Sequence, residues 1–347
     1  MEKNDRLYLY AEEKIGKAIF LLAIPSILSS LINLIYNLIN SIFIKMLNNT
    51  AMVAATTVGY PIMTFIHAFG SALGVGASSY LSRQLGAESY DDSKKTVKTA
   101  ITAGILIALI LAFSSFFWLM PVLRLLTDDP EVLKFSYIYS LITVLGGVTA
   151  ILKQVLIGLL RTEGDIVFPM YILLFSVILN ILLVPVLMFD WGFNLQIGGA
   201  ALATVIVQGI SVIIMFFRLS FKCKYVKWRL FDFGIDLKSL KEITSVGTAV
   251  FMRNLLPSIS SGIFANSAGL FGTAFVAGAG IGKRASHFAL FAIQGMANGY
   301  LTFAAYNYGA DNRKRLKDSM WLLIKNLTFY SILVSIVFLM FAPAISS

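Results

Sequence analysis

The sequence predicts an all-α polytopic membrane protein, and three observations carry that prediction. Of its 347 residues, 58% are hydrophobic and only 13% are charged, about half the charged share of an ordinary soluble domain. The charges are clustered, which leaves apolar runs of twenty residues or more, the length that crosses a hydrocarbon core of about 30 Å. The basic residues fall almost wholly on alternate loops. The runs are too long for a membrane β-barrel and lack its alternation.

Nine apolar segments follow one another: 18–44, 51–81, 98–123, 134–160, 166–189, 197–219, 243–267, 271–307 and 319–343. The first follows a charged stretch, MEKNDRLYLYAEEKIGK, and is too long for the core of a cleavable signal, so it reads as helix one. With the N-terminus in the cytoplasm, the tail carries Lys3, Arg6, Lys14 and Lys17, and the loop after helix two carries Arg83, Lys94, Lys95 and Lys98. Arg161 follows helix four, seven basic residues fall between Arg218 and Lys241, and Arg313, Lys314, Arg315 and Lys317 follow helix eight. The other side holds Lys45, Arg124 and Lys134, a balance of 20 against 3. This is the positive-inside pattern, and it accounts for the net charge of +10 by contact with anionic lipid rather than with nucleic acid. A plasma-membrane, prokaryotic protein with a cytoplasmic N-terminus is expected.

The chain resembles itself at a spacing of about 223 residues. VAATTVG (53–59) parallels VAGAGIG (276–282), and GSALG (70–74) parallels GMANG (295–299) after a two-residue shift. RQLGAES (83–89) parallels YNYGADN (306–312), with Gly86 facing Gly309. The first repeat holds six helices, an even number, so the second starts on the same side and the two are parallel repeats. The expected organisation is an N-terminal lobe over 1–217, a basic cytoplasmic linker over 218–242 and a partial C-terminal lobe over 243–347. The second repeat shows only three helices, so a fragment or truncated gene product is expected, with an inactive piece of a transporter as one alternative.

GVGASSYLSRQLGA (74–87), LLRTEGDIVFPM (159–170), NILLVP (180–185), GGAALATVIVQ (198–208) and AYNYGADNRKR (305–315) together resemble the MATE (multidrug and toxic compound extrusion) family of the MOP flippase superfamily. The resemblance implies two six-helix lobes around a central cavity and export of amphipathic, often cationic small molecules. It implies alternating access driven by Na⁺ or H⁺, with no other cofactor, and a monomer in membrane lipid. It also implies an acid on helix one, where Asn40 stands, and an Asp before the proline on helix five, where Val184 stands. Both are absent here, which weakens the N-lobe cation site.

Polar residues at helical spacing mark the faces that would line such a cavity. Helix one carries Asn33, Tyr36, Asn37 and Asn40 at i, i+3, i+4 and i+7, one face of a helix. Gln154, Asn180, Thr204, Gln208, Asn254, Ser258, His287, Gln294 and Asn298 add to the set, since a polar side chain in hydrocarbon needs a partner or water. Neutral oxygens of Asn40, Asn180 and Thr204 are the expected cation-coupling ligands. Intramembrane charge is costly and points to function. Arg253, Lys283 and Arg284 are the deep cases, with no acid at comparable depth. They support an alternative substrate, an anionic, lipid-linked or phosphate-bearing molecule. Lys153 and Lys325 are expected to snorkel to the interface. His67 and His287, far apart in sequence, and the lone Cys223 make poor metal-site material. No Ser–His–Asp, HExxH or Walker-type pattern occurs, so an enzyme is not expected.

Overall fold

A computed structural model describes residues 7–226, 228, 232–269 and 273–346; side chains at 258, 259, 261–289, 291 and 341–346 lie outside the described set. Every regular element among the described residues is a helix: α1 (Tyr8–Ala11), α2 (Ile15–Lys45), α3 (Thr50–Gly86), α4 (Tyr90–Leu126), α5 (Pro130–Leu145), α6 (Gly147–Thr162), α7 (Val167–Met188), α8 (Gln196–Lys222), α9 (Leu237–Gly269), α10 (Thr273–Gly309) and α11 (Arg313–Ser346). Six of them, α2, α3, α4, α7, α8 and α11, are each long and apolar enough to cross a membrane, and α5 with α6 forms a seventh candidate span. The remaining two expected spans, α9 and α10, have 33 and 37 residues, about 50 Å or more at 1.5 Å per residue. Their basic and small polar residues dilute the hydropathy, and they are held by packing against α3 and α2.

The expected span 134–160 differs in one respect. It is a bent pair that meets at 48°, with Gly146 at the joint (φ −75°, ψ 0°). A Cβ on Gly146 would strike the side chain of Val205 on α8, so a glycine lets the corner sit against its neighbour.

Glycine also sets the main seams. A Cβ on Gly74 of α3 would collide with the Gln154 carbonyl of α6, and one on Gly158 with the Gly74 carbonyl. At Gly70 the facing Ile151 Cα would lie only 3.1 Å away. The two backbones touch with no side chain between them, the small-residue packing that replaces hydrophobic drive in lipid.

The contacts between the lobes are reciprocal, as two parallel repeats require. Gly86 presses on the Tyr306 carbonyl and Gly309 presses on the Arg83 carbonyl. Gly76 of α3 packs against the Ile243 carbonyl of α9, while Gly299 of α10 packs against the Leu22 carbonyl of α2, where a Cβ would be 2.5 Å away. Gly76 and Gly299 are 223 residues apart and do the same work. The two-residue shift read into the 295–299 match is therefore unnecessary: Gly299 answers Gly76, not Gly74.

The connection from α8 to α9 is shorter than 218–242 and firmly docked. Helix α8 runs to Lys222 and α9 starts at Leu237. Glu163, almost fully buried, accepts the backbone N–H groups of Lys224, Tyr225 (3.1 Å) and Val226 (2.9 Å). Asp165 pairs with Arg218 Nε at 2.8 Å, and that guanidinium lies over the Phe168 ring. Gly164 between the two acids has φ +82°, a backbone state that favours glycine. At the far end the Asp236 carboxylate caps α9 by accepting the Ser239 N–H and hydroxyl at 2.8 and 2.7 Å. These bonds hold the Asp236 carboxyl below the usual carboxylate range.

Candidate functional site

A cavity of about 250 Å³ lies between the lobes. Helix α2 supplies Ser29, Ser30 and Asn33; α3 supplies Ser71, Gly74, Val75 and Ser78; α6 supplies Gln154, Ile157, Gly158 and Arg161. Leu173 of α7 closes one side, and α9 and α10 contribute Arg253, Asn254, Gln294, Asn298, Leu301 and Thr302. Six expected residues therefore meet here: Asn33, Gln154, Arg253, Asn254, Gln294 and Asn298. Gln154 Nε2 donates to Ser71 Oγ at 3.2 Å, which fixes its amide against the α3 wall. Ser78 and Thr162 close the same seam one layer down, hydroxyl to hydroxyl, at 3.0 Å.

The cavity's polarity is cationic. Arg161 and Arg253 both line it, and no Asp or Glu does so among the described residues. Arg161 Nε is buried without a hydrogen-bond partner, and a guanidinium donor in that state is costly. The nearby acids are already engaged, Glu163 by the 224–226 backbone and Asp165 by Arg218.

The other expected residues gather inside the N-terminal lobe, around a second space of about 20 Å³, room for one water-sized group. Thr204 and Gln208 of α8 line it with Met63 and His67 of α3 and Tyr139 and Thr143 of α5. The Tyr36 hydroxyl donates to Thr204 Oγ1 at 3.0 Å. The Thr204 hydroxyl is itself spent on the Ala200 carbonyl, also at 3.0 Å. Asn40 stands beside the Tyr36 hydroxyl, and its Oδ1 accepts no hydrogen bond. Asn180 is 1% exposed, and its Nδ2 has no partner. Ser176 of α7 bonds Ser211 of α8 at 2.7 Å, so Asn180, one turn further along α7, lies within a turn of the Thr204 level.

The helix-one stripe thus serves two spaces rather than one wall. At 100° per residue, Asn33 and Asn37 sit on one edge of a stripe about 100° wide, and Tyr36 and Asn40 sit on the other. Asn33 lines the interlobe cavity, and Tyr36 turns into the N-terminal lobe. Asn37 is exposed, and its amide donates to the Asn33 carbonyl at 2.9 Å. It satisfies itself on its own helix. Val184 is fully buried with Ile44, Ala200 and Ala203, an apolar setting that suits valine and penalises a carboxylate. The side chains of Ser258, Lys283, Arg284 and His287 lie outside the described residues.

Sequence reasoning missed four groups. Arg161 reads as a loop charge in the sequence, and Ser71 and Ser78 are not singled out there. His67 was considered only as a metal ligand; among the described residues no group of three His, Cys, Asp or Glu could hold a metal. Lys153, expected to snorkel, is partly buried on α6. The spacing of His67, Ser71, Gly74 and Ser78 at i, i+4, i+7 and i+11 was the available signal, since it makes one face of α3.

At the basic end the lobes are bolted together. Arg83 pairs with Glu242 at 3.0 Å, and Thr96 meets Ser239 at 3.1 Å. Tyr10 of α1 is fully buried, and burial pushes its phenol upward, so it stays a donor, to the Arg161 carbonyl at 2.5 Å. The Tyr10 carbonyl in turn accepts Asn307 Nδ2 and Arg315 Nε, both at 3.1 Å. One short helix therefore ties α6 of the first lobe to α10 and α11 of the second.

Comparison with known proteins places this architecture. The MatE family model matches residues 25–186 and 249–347. The multidrug export protein MepA of Staphylococcus haemolyticus is 30% identical over 329 residues, which cover 93% of this chain and 71% of that protein. MepA of Staphylococcus aureus is 29% identical over 318 residues, 91% of this chain and 69% of that one. A solved outward-facing conformation of a multidrug resistance MATE family transporter of the MOP superfamily superposes with a TM-score of 0.89 at 25% identity, covering 99% of this chain and 76% of that one. A MOP superfamily transporter from Pyrococcus furiosus, described by a reverse polarity of its binding pocket, matches with the same score, identity and coverage. With two thirds and more of the chain matched by the family model, and with its helices, reciprocal glycine seams and interlobe cavity in place, this chain belongs to the MatE family of multi-pass membrane transporters.

Proposed function

We propose that the chain exports amphipathic small molecules, multidrug fashion, by alternating access of the two lobes coupled to inward flow of Na⁺ or H⁺. The single observation that carries this reading is the interlobe cavity, polar and roomy, walled by both lobes and sealed at the basic end. The N-terminus is cytoplasmic in this reading, because the positive-inside balance sets it, and the sealed basic end makes the described state outward-facing. Substrate would rest against Asn33, Gln154, Asn254, Gln294 and Asn298, which offer donors and acceptors without fixing one shape. The expected cation ligands Asn40, Asn180 and Thr204 remain as neutral oxygens around the N-lobe space, with Thr204 already twice hydrogen-bonded.

Efflux of the amphipathic dye ethidium from cells producing the chain tests the reading. Gln154→Trp sets an indole in the cavity, and a clash of about 1.4 kcal/mol already costs tenfold in affinity. Efflux is expected to fall by more than about tenfold, with the protein still monodisperse in detergent. Efflux unchanged by the indole would show that substrate takes another route.

A second reading has its own observation, the pair Arg161 and Arg253 without a lining acid. Guanidinium forks suit carboxylate and phosphate, so an anionic amphiphile is the alternative cargo. Under it, Arg161→Gln with Arg253→Gln abolishes export of a carboxyfluorescein-type dye and spares ethidium. Export of ethidium but not of the anionic dye by the unmodified protein would favour the first reading.

A further inference from the structure

We propose that Asn307 and Arg315 clasp α1 as the latch that holds the basic end shut, and that the α8–α9 connection is the hinge that stays fastened when that end opens. The inference rests on the reading of the chain as an alternating-access transporter and assigns its releasing and fixed parts. It starts from the repeat. Helices α4 and α11 start 223 residues apart, and α2 and α9 start within one residue of that spacing. The stretch 9–13 before α2 therefore answers the stretch 232–236 before α9. Each of these two straps leads into one lobe and lies across the other.

The first strap leads into the first lobe and is clasped by the second. Asn307 Nδ2 of α10 donates to the Tyr10 carbonyl at 3.1 Å. Arg315 of α11 donates from Nε to the same carbonyl at 3.1 Å and from Nη2 to the Glu13 carbonyl at 2.5 Å. Its guanidinium lies 5.1 Å over the Phe303 ring, and the Tyr10 ring sits 5.7 Å from that of Tyr306. The second strap leads into the second lobe and is clasped by the first. The Asp236 N–H donates to Thr99 Oγ1 at 2.9 Å and the Gly234 N–H to Thr102 Oγ1 at 3.1 Å, both on α4. Gln84, the repeat counterpart of Asn307, accepts the Thr96 hydroxyl at 2.8 Å, and Thr96 meets Ser239 at 3.1 Å.

The two clasps are unequal, and the weaker one opens. The second strap is held further by Glu163, which takes the N–H groups at 224, 225 and 226, by Lys98 on Asp232 and by the Trp228 ring on Phe216. The first strap's hold on the second lobe runs through the Tyr10 and Glu13 carbonyls, neutral acceptors that water can take over. Asn307 also bears a cost in the closed state. Its Oδ1 is buried without a hydrogen-bond partner, a penalty that water relieves once the clasp parts. Opening therefore frees α1 from Asn307 and Arg315 and leaves the 232–236 strap on α4. The lobes stay joined on one side while they turn, as hinged closure requires.

The test reads the lobe separation directly. Lys94→Cys and Lys314→Cys, both exposed and in the first turns of α4 and α11, carry nitroxide labels in a chain with Cys223→Ser, held in lipid nanodiscs. Pulsed electron resonance then gives the ratio of molecules open to closed at the basic end. Arg315→Met is expected to raise that ratio about tenfold or more, because charge-assisted bonds are lost from the closed state alone. Asn307→Leu is expected to raise it about fivefold. Thr99→Val with Thr102→Val is expected to change it by less than about twofold, since those bonds exist in both states and cannot bias them. An unchanged distance distribution in Arg315→Met overturns the latch, and a rise in Thr99→Val with Thr102→Val as large as that in Arg315→Met overturns the hinge. Should buried Asn307→Leu fail to fold, the partly exposed Arg315 decides. Ethidium movement in vesicles is measured on the same variants. A shifted distribution without any ethidium movement supports the latch and counts against the exporter reading alone.

Discussion

Glu163→Ala is expected to release the segment between α8 and α9 and to destabilise the protein by about 3 kcal/mol or more. The carboxylate is buried and takes three consecutive backbone N–H groups, at 224, 225 and 226. Alanine removes every acceptor at once, and each buried donor left without a partner costs about 1–3 kcal/mol. Water reaching the edge of the loop recovers part of this, which is why the expected loss is smaller than three full penalties. Thermal unfolding in detergent measures the loss, and limited proteolysis between Lys222 and Asp236 locates it. Glu163→Gln keeps one acceptor oxygen and is expected to fall between the two. An unchanged melting curve for Glu163→Ala would mean that the segment is held by its other anchors. Those are the Trp228 ring against Phe216 at 4.9 Å and the Lys98–Asp232 pair at 2.5 Å.

This prediction explains a motif that resemblance alone only recognised. RTEGD (161–165) reads as a family signature, and each of its side chains has a separate duty. Arg161 reaches the cavity, Thr162 ties α6 to Ser78, and Glu163 caps the connection. Gly164 supplies the left-handed turn, and Asp165 anchors Arg218. Spacing could not reveal this, because the partners lie 53 to 84 residues away in the chain.

The fold was legible because its determinants are local. Apolar runs, loop charge and a repeat of glycines all survive in a linear reading, and Gly86 and Gly309, matched in the repeat, make reciprocal contacts in the fold. The corner at Gly146 was not legible. The corner packs against the Val205 side chain on α8, a neighbour that the α5–α6 sequence does not contain. The site was legible by half. Polar residues at helical spacing do line cavities here, but a stripe does not announce which cavity it serves. Asn33 and Tyr36 share a face in sequence and part company in the fold, because the stripe is wide enough to touch two spaces.

Helix α1 gains importance by the same argument. Its four residues make no membrane span, yet Tyr10 is fully buried and joins both lobes at the basic end. Opening that end requires the phenol, the Arg83–Glu242 pair and the crossed glycines at 86 and 309 to separate together. Ion pairs that are partly exposed contribute about 1 kcal/mol or less each, and the glycine contacts are van der Waals. The bolt is a sum of weak terms.

The most direct test of the account is to prevent that opening. Arg83→Cys with Glu242→Cys, in a chain carrying Cys223→Ser, can be bridged across the lobes by a short bis-methanethiosulfonate, which forms a reducible mixed disulfide with each cysteine and releases two sulfinates. The native pair approaches to 3.0 Å between its charged atoms, so the two thiols lie within reach of such a bridge. The account predicts that ethidium transport into or out of vesicles falls to the protein-free background when the bridge is closed and returns when it is reduced. Each single-cysteine variant treated the same way should keep transporting. Undiminished transport by the bridged protein would contradict alternating access through the basic end.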